Sequence, residues 1–310
     1  MAYRTLNDIN KSVASDVESF IESAEEGFDS SVSSLVGNFI SDCDCDIVLL
    51  AGPSSSGKTT TAGKIVEKIR DSGRNAYTLS LDDYYHNAAD IQLTAKGVKD
   101  FENINALDVD LIHRNFSDLI EKREALVPEF DFMNGRRLYK GDDLRIGTQD
   151  VLILEGIHSL NPKMSYALSD KDKYKIYISP LNQLMIGSED KISTLDSRLI
   201  RRIVRDNRTR GHDIERTLSM WQSVRQGEEQ YIFPYEDNAD VMFNSGLLYE
   251  YSVLKKHIEP LLMAVGETSP YYSDVLRLKE LTDRFLPLEE TVVPLNSILR
   301  EFIGGGCFKV

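Results

Sequence analysis

The stretch DIVLLAGPSSSGKTT, residues 46–60, decides the fold of this chain. Its apolar run 47–51 is typical of a buried strand, the loop that follows is bounded by Gly52 and Gly57, and a helical pattern begins at Lys58. This order of strand, loop and helix matches the phosphate-binding P-loop pattern GxxxxGKS/T. Because glycine lacks a Cβ atom, the two glycines let the backbone turn its N–H groups towards phosphate oxygens.

The P-loop residues have separate predicted tasks. Lys58 would reach the β- and γ-phosphates of a nucleotide, and the Thr59 hydroxyl would bind Mg²⁺. The backbone N–H groups of the loop and of the first helical turn would hold phosphate oxygens. The candidate ATP-binding residues of this stretch are therefore Gly52, Ser54, Ser55, Ser56, Gly57, Lys58, Thr59 and Thr60. The alternative interpretation is a Ser/Gly turn that joins a strand to a helix.

The composition of the chain restricts its partners. The 310 residues are 41% hydrophobic and 28% charged, which is ordinary for a soluble globular protein. The formal net charge of −14 argues against a nucleic acid or an anionic membrane as the main partner, because both would be repelled. The N-terminus has no apolar signal region and no segment is long and apolar enough to span a bilayer, so we expect a cytoplasmic protein. A homo-oligomer is compatible with the sequence.

Three cysteines, Cys43, Cys45 and Cys307, are too few for a disulfide framework. We expect them to be reduced thiols.

The rest of the sequence alternates between strand and helix patterns. Apolar strands are predicted at 76–81, 151–154, 174–178 and 240–243, and amphipathic helices at 60–72, 108–123, 195–210, 214–227, 249–257 and 271–285. A hairpin is predicted at 129–139, with Asn134 and Gly135 at the centre of a type I′ turn. The predicted fold is α/β, a doubly wound parallel sheet of the P-loop NTPase type with a small β-ribbon lid. The chain is predicted to divide into a helical N-terminal extension (1–45), a P-loop core (46–246) and a C-terminal helical extension (247–310).

Two acidic residues at predicted strand ends are candidates for chemistry. Glu155 follows four apolar residues, which is the Walker B arrangement that orients Mg²⁺; a Glu that caps a strand corner is the alternative. Asp82 ends the strand (76–81) that follows the P-loop helix and should lie at the carboxyl edge of the sheet, where ligands bind in such folds. A carboxylate there could accept the proton of an acceptor hydroxyl and align its oxygen, whereas the alternative is a helix N-cap.

Residues 197–210, SRLIRRIVRDNRTR, reverse the sign of the charge locally. On a helix the arginines at 198, 201, 202 and 205 share one face, and guanidinium groups suit a triphosphate because they bind oxygens bidentately. A solvated helix face that pairs with nearby acids is the alternative.

Together these motifs resemble the uridine kinase and phosphoribulokinase family of P-loop kinases, specifically its uridine-cytidine kinase-like branch. The segments that carry the resemblance are GPSSSGKTT (52–60), LSLDDYY (79–85), DFENINALD (100–108), PEFDF (128–132), VLILEG (151–156) and RLIRRIVRDNRTRG (198–211). The resemblance implies a kinase that uses ATP and Mg²⁺ to phosphorylate the 5′-hydroxyl of a ribonucleoside, uridine or cytidine. Its partners would be small molecules. The alternatives are a kinase for another hydroxylated metabolite, such as ribulose 5-phosphate, and a nucleotide-binding regulatory protein without turnover.

The resemblance also implies roles for single residues. Asp82, Lys58 and Arg202 would be catalytic, and Arg205 and Arg210 would close over the phosphates of ATP. The substrate-binding residues would be Asp82, Tyr85, Glu102, Phe130, Arg136 and Arg202. Thr59 and Glu155 would serve the metal. Gly135 stands where pyrimidine-specific members have a base-reading His.

Overall fold

The computed structural model describes residues 4–43, 45–93, 97, 99–141, 143–165, 170–181, 184–185 and 191–309. Its strands are β1 (Arg4–Thr5), β2 (Ile47–Ala51), β3 (Ala76–Ser80), β4 (Glu124–Leu126), β5 (Glu129–Asp131), β6 (Arg136–Leu138), β7 (Asp143–Arg145), β8 (Val151–Glu155), β9 (Tyr174–Ser179), β10 (Leu184–Met185) and β11 (Val241–Asn244). Its α-helices are α1 (Leu6–Ser15), α2 (Val17–Asp42), α3 (Lys58–Asp71), α4 (Val109–Glu121), α5 (Pro162–Ser165), α6 (Thr194–Arg210), α7 (Ile214–Tyr231), α8 (Glu250–Met263), α9 (Tyr272–Asp283) and α10 (Arg300–Ile303).

Five strands form one parallel sheet in the order β11-β9-β2-β8-β3. The P-loop strand β2 lies in the middle, and all five of its residues are buried. Neighbouring strands in the sheet are not consecutive in the chain, and the helices that connect them lie on both faces of the sheet. This arrangement confirms the predicted doubly wound α/β fold, and it brings the loops after β2, β3 and β8 to one edge.

The two faces of the sheet are covered by separate apolar clusters. Val48 and Leu50 of β2 belong to one cluster, which also contains Val32 of α2 and Leu254 of α8. Leu49 belongs to the other cluster. Because the first cluster extends into both terminal regions, the chain has no break in packing at residues 45/46 or 246/247. The division into 1–45, 46–246 and 247–310 stays a prediction.

The ribbon of β5 and β6 forms, but the predicted type I′ turn is wrong. Asp131 pairs with Arg136, so the connection consists of residues 132–135 rather than of two residues. The Asp131 carboxylate accepts hydrogen bonds from the backbone N–H groups of Met133 and Asn134, which stabilise the longer loop. Gly135 closes this loop with a φ of +62°.

Cys43 and Cys45 form a disulfide at the junction between α2 and β2. The prediction of reduced thiols is therefore wrong for this pair, whereas Cys307 is free and exposed. Within the part of the chain that the structure describes, no helix is long and apolar enough to cross a membrane.

A buried arginine of α6 contacts the P-loop and three other parts of the fold. Arg201 is fully buried and donates hydrogen bonds to the carbonyl oxygens of Ser56, at 3.4 Å, and Ser245, at 2.9 Å. Its guanidinium pairs with the Glu250 carboxylate at 2.5 Å and lies 5.0 Å from the centre of the Phe302 ring. One side chain thus joins the P-loop, the loop after β11, helix α8 and helix α10.

We expect Arg201→Ala to lower the free energy of unfolding by about 3–5 kcal/mol, because it leaves the Glu250 carboxylate buried without its cation. Chemical denaturation followed by circular dichroism measures the change. The matched control is Arg277→Ala, which removes surface ion pairs with Asp196 and Asp274 and should cost about 0–1 kcal/mol. Equal losses in the two variants would contradict the anchoring role of Arg201.

Candidate active site

A cavity of about 520 Å³ lies at the carboxyl edge of the main sheet. Its wall includes most of the residues that the sequence analysis selected: Ser54, Ser55, Lys58, Thr59, Asp82, Tyr85, Glu102, Phe130, Arg202, Arg205 and Arg210. The loops after β2 and β3, the ribbon, and helices α6 and α7 all contribute to it. Residues that are distant in sequence therefore share one site.

The backbone conformation of the P-loop leaves no room for side chains at its two glycines. A Cβ at Gly52 would lie 2.2 Å from the carbonyl oxygen of Ile178 in the adjacent strand β9. Gly57, the N-cap of α3, has a φ of +89°, and Ser55 has a φ of +61°. Left-handed residues at alternate positions turn successive N–H groups to one side, which is the geometry of an anion-binding nest.

The side chains around this loop fit a nucleotide phosphate. Ser55 is buried in the cavity wall, and its hydroxyl has no hydrogen-bond partner among the described residues. Lys58 is also buried, and its ammonium donates to the carbonyl oxygen of Pro53 at 3.3 Å. Phosphate oxygens would supply acceptors to both groups and offset the cost of burying them.

The site also fits Mg²⁺ that is carried by a nucleotide. Among the residues with described positions, no group of three or more His, Cys, Asp or Glu side chains could hold a metal ion by itself. In phosphate-transferring sites Mg²⁺ keeps waters and binds one or two side chains together with substrate phosphates. Thr59, in the cavity wall, would offer its hydroxyl.

Glu155, the last residue of β8, is buried. It is 3% exposed, is not part of the cavity wall, and accepts a hydrogen bond from the Ser80 hydroxyl at 2.6 Å. Burial, and then the charge of Asp82, raise the pKa of Glu155 to about 7, while Lys58 acts in the opposite direction. Its role towards Mg²⁺ stays a prediction.

The two acids after β3 have different surroundings. The strand ends at Ser80, so both acids lie on the short 3₁₀ helix Leu81–Tyr84. Asp82 lines the cavity. Asp83 instead accepts a hydrogen bond from the backbone N–H of Phe130 at 2.9 Å, and burial raises its pKa to about 6. Asp82 is therefore the acid of this pair that can meet a ligand.

Aromatic rings form one side of the cavity. Tyr85 is buried, donates a hydrogen bond to the Phe101 carbonyl oxygen at 3.0 Å, and has its ring edge-on to three other rings. The ring centres of Phe101, Phe130 and Phe132 lie 5.3, 5.7 and 6.4 Å from that of Tyr85. Such a cluster gives an apolar wall against which another ring can pack.

Glu102 brings a buried carboxylate to the same side. Helix α7 touches it so closely that a Cβ at Gly227 would lie 2.3 Å from the Cβ of Glu102. Burial, and then the charge of Glu228, raise the pKa of Glu102 to about 7. The Oε2 atom of Glu102 has no hydrogen-bond partner in the described ranges, so it is available to a ligand hydroxyl.

The predicted common face of the arginine cluster is divided in the structure. Arg198 is buried, donates to the Ser54 carbonyl oxygen at 2.9 Å and pairs with Glu228, so like Arg201 it supports the P-loop. Arg202 lines the cavity and donates to the Ser54 hydroxyl at 2.8 Å.

Asp206 organises the three arginines of the cavity wall. Its carboxylate accepts hydrogen bonds from Arg205 at 2.9 and 2.8 Å, and it lies 3.3 Å from Arg202 and 3.5 Å from Arg210. Burial alone would raise the pKa of Asp206, but Arg205, Arg202 and Arg210 together hold it well below its usual range. One ionised acid thus keeps three cations together at the cavity.

Two differences from the predicted set concern the ribbon and the C-terminus. Arg136 is exposed and outside the cavity wall, and the adjacent Arg137 is paired with Asp108 at 3.0 Å. Glu301 of α10 does line the cavity and accepts a hydrogen bond from the backbone N–H of Thr60 at 3.1 Å. Glu301 lies 241 positions from Thr60 in the chain, and no local pattern marks it.

The chain is similar to known kinases in sequence and in fold. The sequence profile of the Phosphoribulokinase / Uridine kinase family matches residues 47–248, more than half of the chain. A uridine kinase of Staphylococcus haemolyticus is 28% identical over 201 residues, 64% of this chain and 87% of that protein. A uridine kinase of Halobacterium salinarum is 27% identical over 198 residues, 64% of this chain and 79% of that protein. A candidate fructose transport system kinase from Silicibacter sp. TM1040 has a similar fold, with a TM-score of 0.50 and 17% identity over 68% of this chain and 98% of that one.

We expect Glu102→Gln to change how stability depends on pH. The pKa of Glu102 rises from 4.5 to about 7 on folding, so between these values the folded state holds a proton that the unfolded state has released. The free energy of unfolding therefore falls as pH rises through this window. Relative to the natural protein, the variant should gain roughly 2–3 kcal/mol between about pH 5 and pH 8. Denaturant titrations at both pH values measure this gain; Glu124→Gln, at an exposed acid, is the control. An unchanged difference at the two pH values would contradict the buried charge.

Proposed function

We propose, from the premise that the chain belongs to the phosphoribulokinase / uridine kinase family, that it is a nucleoside kinase. It transfers the γ-phosphoryl group of ATP, with Mg²⁺, to the 5′-hydroxyl of a ribonucleoside, uridine or cytidine. The observation that carries the proposal is the meeting in one cavity of a P-loop, a carboxylate at the sheet edge (Asp82) and an aromatic wall with a second carboxylate (Glu102). The relatives named uridine kinase support the nucleoside as acceptor.

Asp82 is the proposed base. Its carboxylate would accept the proton of the 5′-hydroxyl and hold the oxygen in line with the γ-phosphorus, and such positioning is most of the catalysis in phosphoryl transfer. A regulatory protein that only binds nucleotide would not need a positioned acid next to the P-loop. Asp82 therefore favours turnover over binding alone.

The cations of the cavity are proposed to stabilise the charge of the transferring group. Lys58 acts from the P-loop, Arg202 from the middle of α6, and Arg205 and Arg210 from its last turns. Bound Mg²⁺ would neutralise further charge on the phosphates of ATP. Because Asp206 already holds the three guanidinium groups together, little reorganisation is needed when a phosphate arrives.

The acceptor side fits a nucleoside better than a sugar phosphate. The rings of Tyr85, Phe101 and Phe130 suit a flat base, and Glu102 suits ribose hydroxyls. Carboxylates at Asp82 and Glu102 would repel a phosphate on the acceptor. Arg136, which the resemblance implied for substrate binding, is exposed and lies outside the cavity wall.

We expect Asp82→Asn to lower kcat by at least roughly 10²-fold with little change in the affinity for ATP, because it removes the proton acceptor and leaves the P-loop intact. Steady-state kinetics and a nucleotide-binding titration measure both quantities. The neighbouring Asp83→Asn is the control and should keep most of its turnover, since an amide oxygen can still accept the N–H of Phe130. If Asp82→Asn lowers thermal stability but keeps its activity, Asp82 has a structural role only.

Lys58→Ala should abolish transfer without unfolding the protein.

We expect the purified protein with ATP and Mg²⁺ to convert uridine or cytidine to the 5′-monophosphate and to ignore ribulose 5-phosphate. Discrimination between bases should be weak, because Gly135 provides no side chain to bind a base edge. ADP release across a panel of nucleosides and sugar phosphates, with products separated by chromatography, tests this. Robust turnover of ribulose 5-phosphate with none of any nucleoside would overturn the assignment.

A further inference from the structure

The geometry points to Glu301 as an anionic latch on the nucleotide side of the active site. We propose that its carboxylate accepts a hydrogen bond from a P-loop amide that would otherwise donate to a nucleotide phosphate. The Glu301 side chain must then change rotamer before the nucleotide is fully bound. The inference rests on the proposed function, because it takes a nucleoside di- or triphosphate as the ligand that displaces Glu301.

The first observation is the amide that Glu301 occupies. Helix α3 begins at Lys58, and the first amide that bonds within the helix is that of Thr61, to the Gly57 carbonyl oxygen at 3.1 Å. The N–H groups of the preceding turn have no carbonyl partner in the helix, and in a P-loop they are the donors for phosphate oxygens. Glu301 Oε2 accepts from one of them, that of Thr60, at 3.1 Å.

The second observation is that Glu301 is part of the cavity and not of the outer surface. The side chain is only 6% exposed and belongs to the same wall as Lys58 and Thr59. Its charge acts on Arg205, which is expected to close over the phosphates. A phosphate would therefore compete with Glu301 for the Thr60 amide, and the two anions would repel each other.

The third observation concerns what holds the latch. Arg208 of α6 donates hydrogen bonds to the carbonyl oxygens of Glu301, at 3.0 Å, and Phe302, at 3.1 Å. On the other side, Ile298 touches the P-loop so closely that a Cβ at Gly57 would lie 2.3 Å from its Cδ1 atom. The main chain around Glu301 is thus fixed, and release of the amide requires only a change of side-chain rotamer.

Arg208 ties the backbone of Glu301 to the helix that carries the cavity arginines. Arg208 lies on α6 together with Arg202, Arg205 and Arg210, whose side chains line the cavity. A phosphate bound by these arginines would therefore meet an anchored Glu301 backbone, and only the Glu301 side chain would have to move. Nucleotide binding and this rotamer change are expected to occur together.

The experiment compares nucleotide binding by the natural protein, Glu301→Gln and Glu290→Gln, using isothermal titration with ADP and with adenosine. Glu301→Gln removes the competing charge and should tighten ADP binding about tenfold, which corresponds to about 1.4 kcal/mol. Adenosine has no phosphate, so its affinity should not change whether it binds on the nucleotide side or, as a nucleoside, on the acceptor side. Glu290→Gln is the matched control, since Glu290 belongs to the same C-terminal segment but is exposed and pairs with His257.

Unchanged or weaker ADP binding by Glu301→Gln would overturn the latch, and a weaker value would identify Glu301 as a nucleotide ligand instead. A gain that is equal for ADP and adenosine would also overturn it, because the effect would not depend on phosphate. The ratio of the two affinities within one variant remains valid even if the variant is less stable. Failure of every variant, including the natural protein, to bind ADP would overturn the proposed function together with the latch, whereas equal binding by all of them would overturn the latch alone.

Discussion

The buried ion pair between Arg201 and Glu250 is the interaction on which the arrangement of the site depends. Two desolvated charges are costly unless further hydrogen bonds satisfy them, and here the additional partners of Arg201 are the backbone carbonyls of Ser56 and Ser245. The ion pair and these two hydrogen bonds together tie the P-loop to α8. Arg198 makes the same kind of contact with Glu228 and Ser54. Two buried guanidinium groups of α6 thus hold the backbone of the P-loop in place.

Positive charge is concentrated at one place in an otherwise acidic chain. The chain has a net charge of −14, yet three guanidinium groups meet at one cavity around a single carboxylate, Asp206. An acidic exterior with a local cationic centre disfavours large polyanions at long range and still admits a small one. The buried acids in and near the cavity differ in their surroundings: burial raises the pKa of Glu102 and Glu155, whereas three arginines lower the pKa of the likewise buried Asp206.

Local sequence patterns were sufficient for the main sheet, and the family resemblance added several of the residues that line the cavity. The apolar runs predicted the strands of the main sheet to within about a residue, since a buried parallel strand needs little beyond consecutive apolar side chains. The ribbon turn was predicted wrongly because the side chain of Asp131, outside the Asn-Gly pair, determines the loop. The depth of Glu155 depends on its contact with Ser80 across the sheet, and the position of Glu301 depends on how the C-terminus folds back. Tertiary contacts of this kind leave no periodic signal in the sequence.

The close contact between Gly227 and Glu102 affects which side chains the proposed acceptor side of the cavity can accommodate. A glycine within a helix such as α7 costs roughly 0.5–1 kcal/mol relative to alanine, so the chain gives up stability at this position. In return the helix backbone packs directly against the Cβ and Cγ atoms of Glu102, the residue proposed to bind the acceptor. A single methyl group at residue 227 would displace the Glu102 side chain without touching any reactive atom. Under the proposed function, acceptor preference would therefore depend partly on a missing side chain on a supporting helix, where inspection of the cavity wall alone would not find it.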